Sequence, residues 1–193
     1  MRTANLDMLA ARVTIGGATG SIEIIETAYD ALDEILSDSD GTRTDTFLQL
    51  ATADDLTASE AEVLLKKSFG ELGIAWPSHD EAVNRLIVYW LSLIVEKRIK
   101  PYDGMAAVIN DVLETAGELR DCIKYVGDWV HMEELLGAFD AYSDVYESYQ
   151  SDDPLSTSPE EAIKDLDELI VEMAQDWLDR FAGNDKMRRK AAP

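Results

Sequence analysis

Apolar residues recur at every third or fourth position along most of this chain, and short turn signals separate the segments in which they do so. An α-helix brings positions three and four apart onto one face, whereas a half-buried strand needs alternating apolar and polar residues. No stretch alternates over the length of a strand. The sequence therefore predicts an all-α fold, a helical bundle or irregular helical array of about seven to nine helices.

Three segments begin with the same local signal for a helix start. In a capping box, a Ser or Thr hydroxyl accepts a hydrogen bond from a free backbone N–H of the first turn. The carboxylate of a Glu three residues later accepts one from the backbone N–H of that Ser or Thr. The pairs with this spacing are Thr57 and Glu60, Ser78 and Glu81, and Ser158 and Glu161, the last with Pro159 in the first turn.

Two helices are predicted on either side of a glycine-rich turn at residues 16–20. The first covers Ala4 to Val13. Ser21 is expected to cap the second, which continues to Leu36. Apolar residues at helical spacing in this second helix are expected to face the core. They are Ile22, Ile25, Tyr29, Leu32 and Leu36.

The segment from Ser78 to Val95 is apolar on nearly every side, which predicts a central buried helix. Pro101 suits the first turn of a further helix, because proline lacks only an N–H that would have no partner there. Its apolar stripe runs from Met105 to Leu113. A further helix is predicted around Leu119 to Val126.

The chain has 193 residues, which is within reach of one continuous hydrophobic core. We predict a single helical domain over residues 1–183. Residues 184–193 reverse the sign of the charge and have no apolar periodicity, so they are predicted to be a disordered basic tail.

The formal charge of −22 argues against binding to nucleic acid or to an anionic membrane, because both ligands need Lys and Arg. The longest apolar run, Leu86 to Val95, is about half a bilayer span, and no secretory leader is recognised at the start. Cys122 is the only cysteine, so no intrachain disulfide can form. A cytoplasmic location is expected.

Acidic residues are concentrated on two predicted helix faces. No Lys or Arg lies between Arg12 and Arg43, or between Lys124 and Lys164. Like charges four positions apart repel by about 0.2–0.5 kcal/mol per pair. Each face is therefore either a solvated surface or a docking surface for a basic partner. The candidate binding residues are Glu23, Glu26, Asp30 and Asp33 on one face, and Glu133, Asp140, Asp144 and Glu147 on the other.

Clustered carboxylates also hold metal ions, but no familiar ligand spacing is present. An EF-hand loop counted from Gly41 places Leu36 at its first position. A di-iron bundle needs two Glu-x-x-His pairs, and Asp128 to His131 is a single near match. Gly137 and Lys164 stand where helical nucleotide pyrophosphohydrolases have the third Glu of Glu-Glu-x-x-Glu. No catalytic residue, metal site or cofactor is predicted.

The leading hypothesis is a non-enzymatic protein that binds a basic partner protein through an acidic helical face. An immunity or antitoxin-type inhibitor is the concrete example, because such a protein covers the cationic active site of a toxin. The alternative is an Mg²⁺- or Mn²⁺-dependent hydrolase that acts on a phosphorylated small molecule through carboxylates on helices. An enzyme is the less favoured interpretation, and a homodimer is left open.

Overall fold

The computed structural model describes residues 4–17, 20–32, 35, 44–116, 132–150 and 158–181, with the backbone alone for residue 4 and residues 146–150. These residues form eight α-helices, one π-helical segment and no β-strand. The predicted all-α class and the predicted number of helices are confirmed. The α-helices are α1 (Ala4–Thr14), α2 (Ser21–Asp30), α3 (Asp45–Ala51), α4 (Ala58–Glu71), α5 (His79–Val95), α6 (Pro101–Ala107), α7 (Glu133–Gln150) and α8 (Pro159–Phe181).

Several predictions lie outside the described residues. They concern the basic tail at residues 184–193, the helix from Leu119 to Val126, and Asp33 of the first acidic face. The side chain of Glu147, in the second acidic face, is also outside the described part of the chain.

The chain divides into two compact units, Met1–Leu86 and Ile87–Pro193. The division falls inside α5, so one continuous helix contributes residues to both units. The predicted burial of this helix is confirmed by several side chains that are at most 2% exposed, although Tyr89 is 39% exposed. Those buried residues are Ala82, Val83, Leu86, Ile87, Leu91 and Ile94. The single-domain prediction stays a prediction.

The first unit is built around one apolar core to which α1, α2, α3 and α4 all contribute. Phe69 of α4 is buried, and Trp76 packs against it edge to face with ring centroids 5.1 Å apart. Burying large side chains of this kind is the main favourable term in folding a helical unit. Further core residues are Leu6, Leu9, Val13, Ile24, Ala28, Ile35, Phe47, Leu50 and Leu65.

In the second unit, α6 packs against both α7 and α8, and α7 packs along α8. Pro101 is in the first turn of α6 as predicted. The α-helix changes to a π-helical segment at Val108–Glu114, which the apolar spacing did not predict. Tyr142 of α7 is 2% exposed, and its hydroxyl donates a hydrogen bond to Oδ1 of Asp167 on α8 at 2.5 Å. This bond satisfies a polar group that burial would otherwise leave unpaired.

All three predicted capping boxes are present. Thr57 accepts from the backbone N–H of Glu60, and its own N–H donates to Oε2 of Glu60 at 2.9 Å. These hydrogen bonds stabilise the carboxylate and hold the pKa of Glu60 below its usual value. The other two boxes are the pairs Ser78 with Glu81 and Ser158 with Glu161.

Three helices end in the same hydrogen-bonded turn, the Schellman motif. The final bonds of these turns are Gly17 N to Arg12 O at 2.9 Å, Ile74 N to Phe69 O at 2.8 Å and Arg98 N to Leu93 O at 2.9 Å. The motif needs a left-handed residue just after the helix. Gly16 and Gly73 fill this position after α1 and α4, but after α5 it is Lys97, with φ of 56°.

We expect Lys97→Gly to raise the free energy of unfolding by about 0.5–1 kcal/mol. The left-handed conformation costs a residue with a Cβ about 1–2 kcal/mol, whereas the greater freedom of glycine in the unfolded chain costs about 0.5–1 kcal/mol. Lys97→Ala is the control, because alanine keeps a Cβ and therefore keeps the cost of the left-handed conformation. Urea denaturation followed by circular dichroism measures both. A Lys97→Gly protein no more stable than Lys97→Ala would mean that the left-handed conformation of Lys97 costs no free energy.

No helix in the described parts of the chain is long and apolar enough to cross a membrane.

Candidate protein-binding surface

The first acidic face lies on α2, and two of its carboxylates are open to solvent. Glu26 and Asp30 are exposed, and neither forms an ion pair with a Lys or Arg of the described residues. They are four positions apart, so they lie one helical turn from each other on the same side of α2. This side of α2 carries negative charge that nothing in the described structure neutralises.

Glu23 differs from the rest of this face. We expected the strip to lack a basic neighbour, but Arg12 of α1 forms an ion pair and hydrogen bond with the Glu23 carboxylate. A stretch of sequence without Lys or Arg can therefore still have a basic neighbour in the folded protein. Here the end of α1 lies beside the start of α2, so Arg12 reaches Glu23. Both side chains are about two-fifths exposed, at 43% and 39%, so this pair adds little to stability.

The predicted buried face of α2 was wrong for Ile22 and Tyr29, whereas Ile25 and Leu32 are partly buried and pack against the core. Ile24 and Ala28 of α2 are fully buried, and Ala31 and Ile35 continue the same helical spacing at 3% and 8% exposure. The fully buried stripe of α2 is therefore rotated by about 100° around the helix axis from the predicted one. The predicted cap was also wrong, since Gly20 is the N-cap of α2 and no side chain caps this end.

As a result, two large apolar residues of α2 that were expected in the core are on the surface. Ile22 is 69% exposed and Tyr29 is 64% exposed. They are seven positions apart, and Glu26 lies between them, four residues after Ile22 and three before Tyr29. These spacings put the residues on one side of the helix. We call the surface formed by Ile22, Glu26, Tyr29 and Asp30 the α2 face.

The second acidic face lies on α7. Glu133 and Asp140 are exposed, and Asp144 is exposed while making a contact of its own. The other side of α7 is buried, with Leu135, Ala138 and Tyr142 each at 8% exposure or less, and Met132 just before the helix is fully buried. The predicted division of this helix into an acidic and a buried side therefore holds for its described side chains.

The described aromatic side chains of α7 pack against Tyr102 of α6. Tyr142 is buried, and its ring lies edge to face against Tyr102 of α6, with centroids 5.3 Å apart. Phe139 stacks on Tyr102 at 5.2 Å. Among the described residues, no large apolar side chain of α7 is strongly exposed. Tyr102 itself is 45% exposed, so the described part of this region combines the charged strip with one exposed ring on α6.

The alternative function predicted from the sequence needs carboxylates that bind a metal ion. Within the described ranges, no three His, Cys, Asp or Glu side chains lie close enough together to hold one metal ion. The metal-dependent hydrolase stays a prediction without a described site.

Sequence reasoning placed Ile22 and Tyr29 in the core, although one signal pointed the other way. Ile24, Ala28, Ala31 and Ile35 repeat at four, three and four positions, as regular a helical stripe as the one we chose. Two of its members are alanines, which are smaller than Ile or Tyr, so this stripe was the weaker of the two patterns in the sequence. Small residues at helical spacing often mark the face where helices approach most closely.

Comparison with known proteins found no matching family model, no matching curated protein and no matching solved structure.

Proposed function

We propose that this protein binds a basic, amphipathic segment of a partner protein on the α2 face. The observation that carries the proposal is the exposure of Ile22 and Tyr29 on the same side of α2 as Glu26 and Asp30, two carboxylates that form no ion pair with a described Lys or Arg. Single exposed apolar residues are ordinary, but two large ones beside two exposed carboxylates form a surface of mixed character. Such a surface suits a partner that is itself both apolar and positively charged.

The two kinds of residue contribute differently to binding. Carboxylates on an open surface attract a cationic partner and orient it, which raises the association rate more than the final affinity. Affinity comes from side chains that lose contact with water, and tyrosine is among the residues most often responsible. Tyr29 can bury its ring and keep its hydroxyl at the edge of an interface. The α2 face contains both contributions within two helical turns.

Charge also supports a partner of a different kind over a second copy of this chain. Each chain carries a formal charge of −22, so two copies repel each other at low salt. Pairing of two α2 faces would bring Glu26 and Asp30 of each copy toward one another without a basic residue to compensate. A basic protein relieves this repulsion, as an inhibitor does when it covers the cationic active site of a toxin.

Binding of a labelled amphipathic peptide with a Lys-rich side and a Leu-rich side tests this proposal by fluorescence anisotropy at low salt. We expect Glu26→Lys/Asp30→Lys to raise the dissociation constant about fivefold or more. The matched control is Asp54→Lys/Asp55→Lys, which changes the net charge equally at exposed positions of the same unit and should change the constant less than twofold.

The apolar contribution has its own matched pair. Tyr29→Ala removes an exposed ring from the α2 face and is expected to weaken peptide binding about fivefold. Val63→Ala removes a 62% exposed side chain from α4 and is expected to have no effect. If both lysine double variants weaken binding equally, the peptide follows net charge and the proposal fails. It fails equally if Tyr29→Ala binds the peptide as tightly as the unchanged protein.

A further inference from the structure

A surface cavity of about 480 Å³, open to solvent, lies in the second unit between the loop that joins α5 to α6 and one side of α8. Its volume is in the range of about 300–1,000 Å³ that is usual for small-molecule sites. Ile94, Ile99, Pro101 and Val171 supply an apolar lining. The cavity therefore has both the size and the lining that a small organic molecule needs.

Three of the seventeen basic residues of the chain line this cavity: Lys97, Arg98 and Lys100. Arg98 approaches Glu96 at 3.6 Å, but both side chains are more than half exposed, so this contact is weak. Neither Lys97 nor Lys100 forms an ion pair with a carboxylate of the described residues. Within the described part of the chain, the loop thus presents two ammonium groups that form no ion pair.

Two carboxylates also line the cavity, and both have partners. Asp167 accepts the hydrogen bond from the Tyr142 hydroxyl. Glu168 forms an ion pair with Lys164 at 3.6 Å. The hydrogen bond leaves the negative charge of Asp167 in place, and the exposed pair of Glu168 with Lys164 is weak, so the lining has three cations against two carboxylates. This small positive excess is unusual in a chain with thirty-nine acidic residues. An anion is the kind of ligand that this balance attracts.

The wall of the cavity is held in position by close packing. A Cβ placed on Gly104 of α6 would lie 2.4 Å from Cγ1 of Ile94 and 2.9 Å from Cδ1 of Ile99. Only glycine lets the α6 backbone approach these two lining residues so closely. The Schellman turn at Lys97 fixes the other end of the same loop. The cationic loop is thus braced at both ends, which reduces the entropy lost when a ligand binds.

We infer that this cavity binds a small organic anion, a molecule with one carboxylate, sulfonate or phosphate group and an apolar body. The anionic group meets Lys97 and Lys100, and the apolar body contacts Ile99 and Val171. The strongly negative charge of the whole chain repels extended polyanions, so the site favours a compact ligand with a single charged group. This inference concerns the second unit alone and is independent of the partner proposed for α2.

Anilinonaphthalene sulfonate, a fluorescent anion with an apolar body, is the probe for this site. We expect saturable binding of one equivalent to the full chain, and displacement of the dye by octanoate. Octanamide has the same chain length without the charge, and it should compete at least tenfold more weakly. Octanamide that competes as well as octanoate, or an unchanged protein without saturable dye binding, overturns the inference.

Variants that lack the charges of Lys97 and Lys100 test whether these two residues bind the dye. Lys97→Asn/Lys100→Gln keeps a residue that tolerates the left-handed conformation at position 97, and it is expected to weaken dye binding about tenfold. Lys66→Gln/Lys67→Gln removes the same charge from exposed positions of α4 and should change binding less than twofold. Circular dichroism checks that both variants are folded. Equal dye binding by the two folded variants also overturns the inference.

Discussion

Replacing Glu71 by alanine is expected to lower the free energy of unfolding by about 2–4 kcal/mol. Glu71 ends α4, and its carboxylate accepts from both the backbone N–H and the hydroxyl of Thr46, at 3.1 and 2.6 Å. Thr46 is in the first turn of α3 and is 3% exposed, while the N-cap Thr44 makes no side-chain cap bond. Without Glu71, a buried donor and a helix start lose their acceptors together.

Urea denaturation followed by far-UV circular dichroism measures this loss. Glu71→Gln keeps an acceptor oxygen but lacks the charge that favours a helix N-terminus, so it should lose about half as much. Lys67→Ala is the control for the ion pair, because Lys67 approaches Glu71 only at 3.9 Å and is 63% exposed. Equal losses in Glu71→Ala and Lys67→Ala would mean that the carboxylate does not cap α3.

Gly104→Ala is expected to lower the free energy of unfolding by about 1–2 kcal/mol, although alanine is the better helix former. The new methyl would overlap Ile94, which is fully buried and has little room to move. Overpacking of this kind costs about 1–3 kcal/mol, against about 0.5–1 kcal/mol gained from helix propensity. The steric cost therefore exceeds the gain.

Gly137→Ala is the matched control in the same unit. Gly137 is inside α7, and nothing lies within 4 Å of the position that its Cβ would take. The same replacement should therefore raise the free energy of unfolding by about 0.5–1 kcal/mol. The two variants are expected to differ in sign, which chemical denaturation resolves directly. A stabilised Gly104→Ala protein would be incompatible with the close approach of α6 to Ile94.

Helix starts were predictable because their chemistry is local. Thr57, Ser78 and Ser158 each find their partner three residues later, so the sequence spacing alone determines the hydrogen bonds. The same local rule gave the wrong capping residue for α2. Ser21 has a side chain that can cap a helix, but Gly20 occupies the capping position. The helix therefore starts one residue earlier than predicted, because the backbone conformation and not the residue type determines where it begins.

Contacts between distant segments could not be predicted. Glu71 and Thr46 are twenty-five residues apart, and Arg12 and Glu23 are eleven apart, so no spacing rule links them. The exposed side of α2 depends on which neighbours cover the helix, and α2 has apolar residues on more than one side. Ile22 and Tyr29 were therefore assigned to the core, and the surface they form with Glu26 emerged only from the packing.

The three capping boxes give part of the acidity of this chain a second purpose. Glu60, Glu81 and Glu161 count toward the net charge, yet each also accepts a hydrogen bond from the backbone N–H of its capping residue at the start of a helix. Because the pKa of Glu60 is lower in the folded protein than in the unfolded chain, its capping box stabilises the fold fully at a pH above the unfolded-state pKa of Glu60. This stabilisation is lost as the pH falls through the folded-state pKa of Glu60. A redesign that seeks a less acidic protein would therefore remove carboxylates from open surfaces and keep these three.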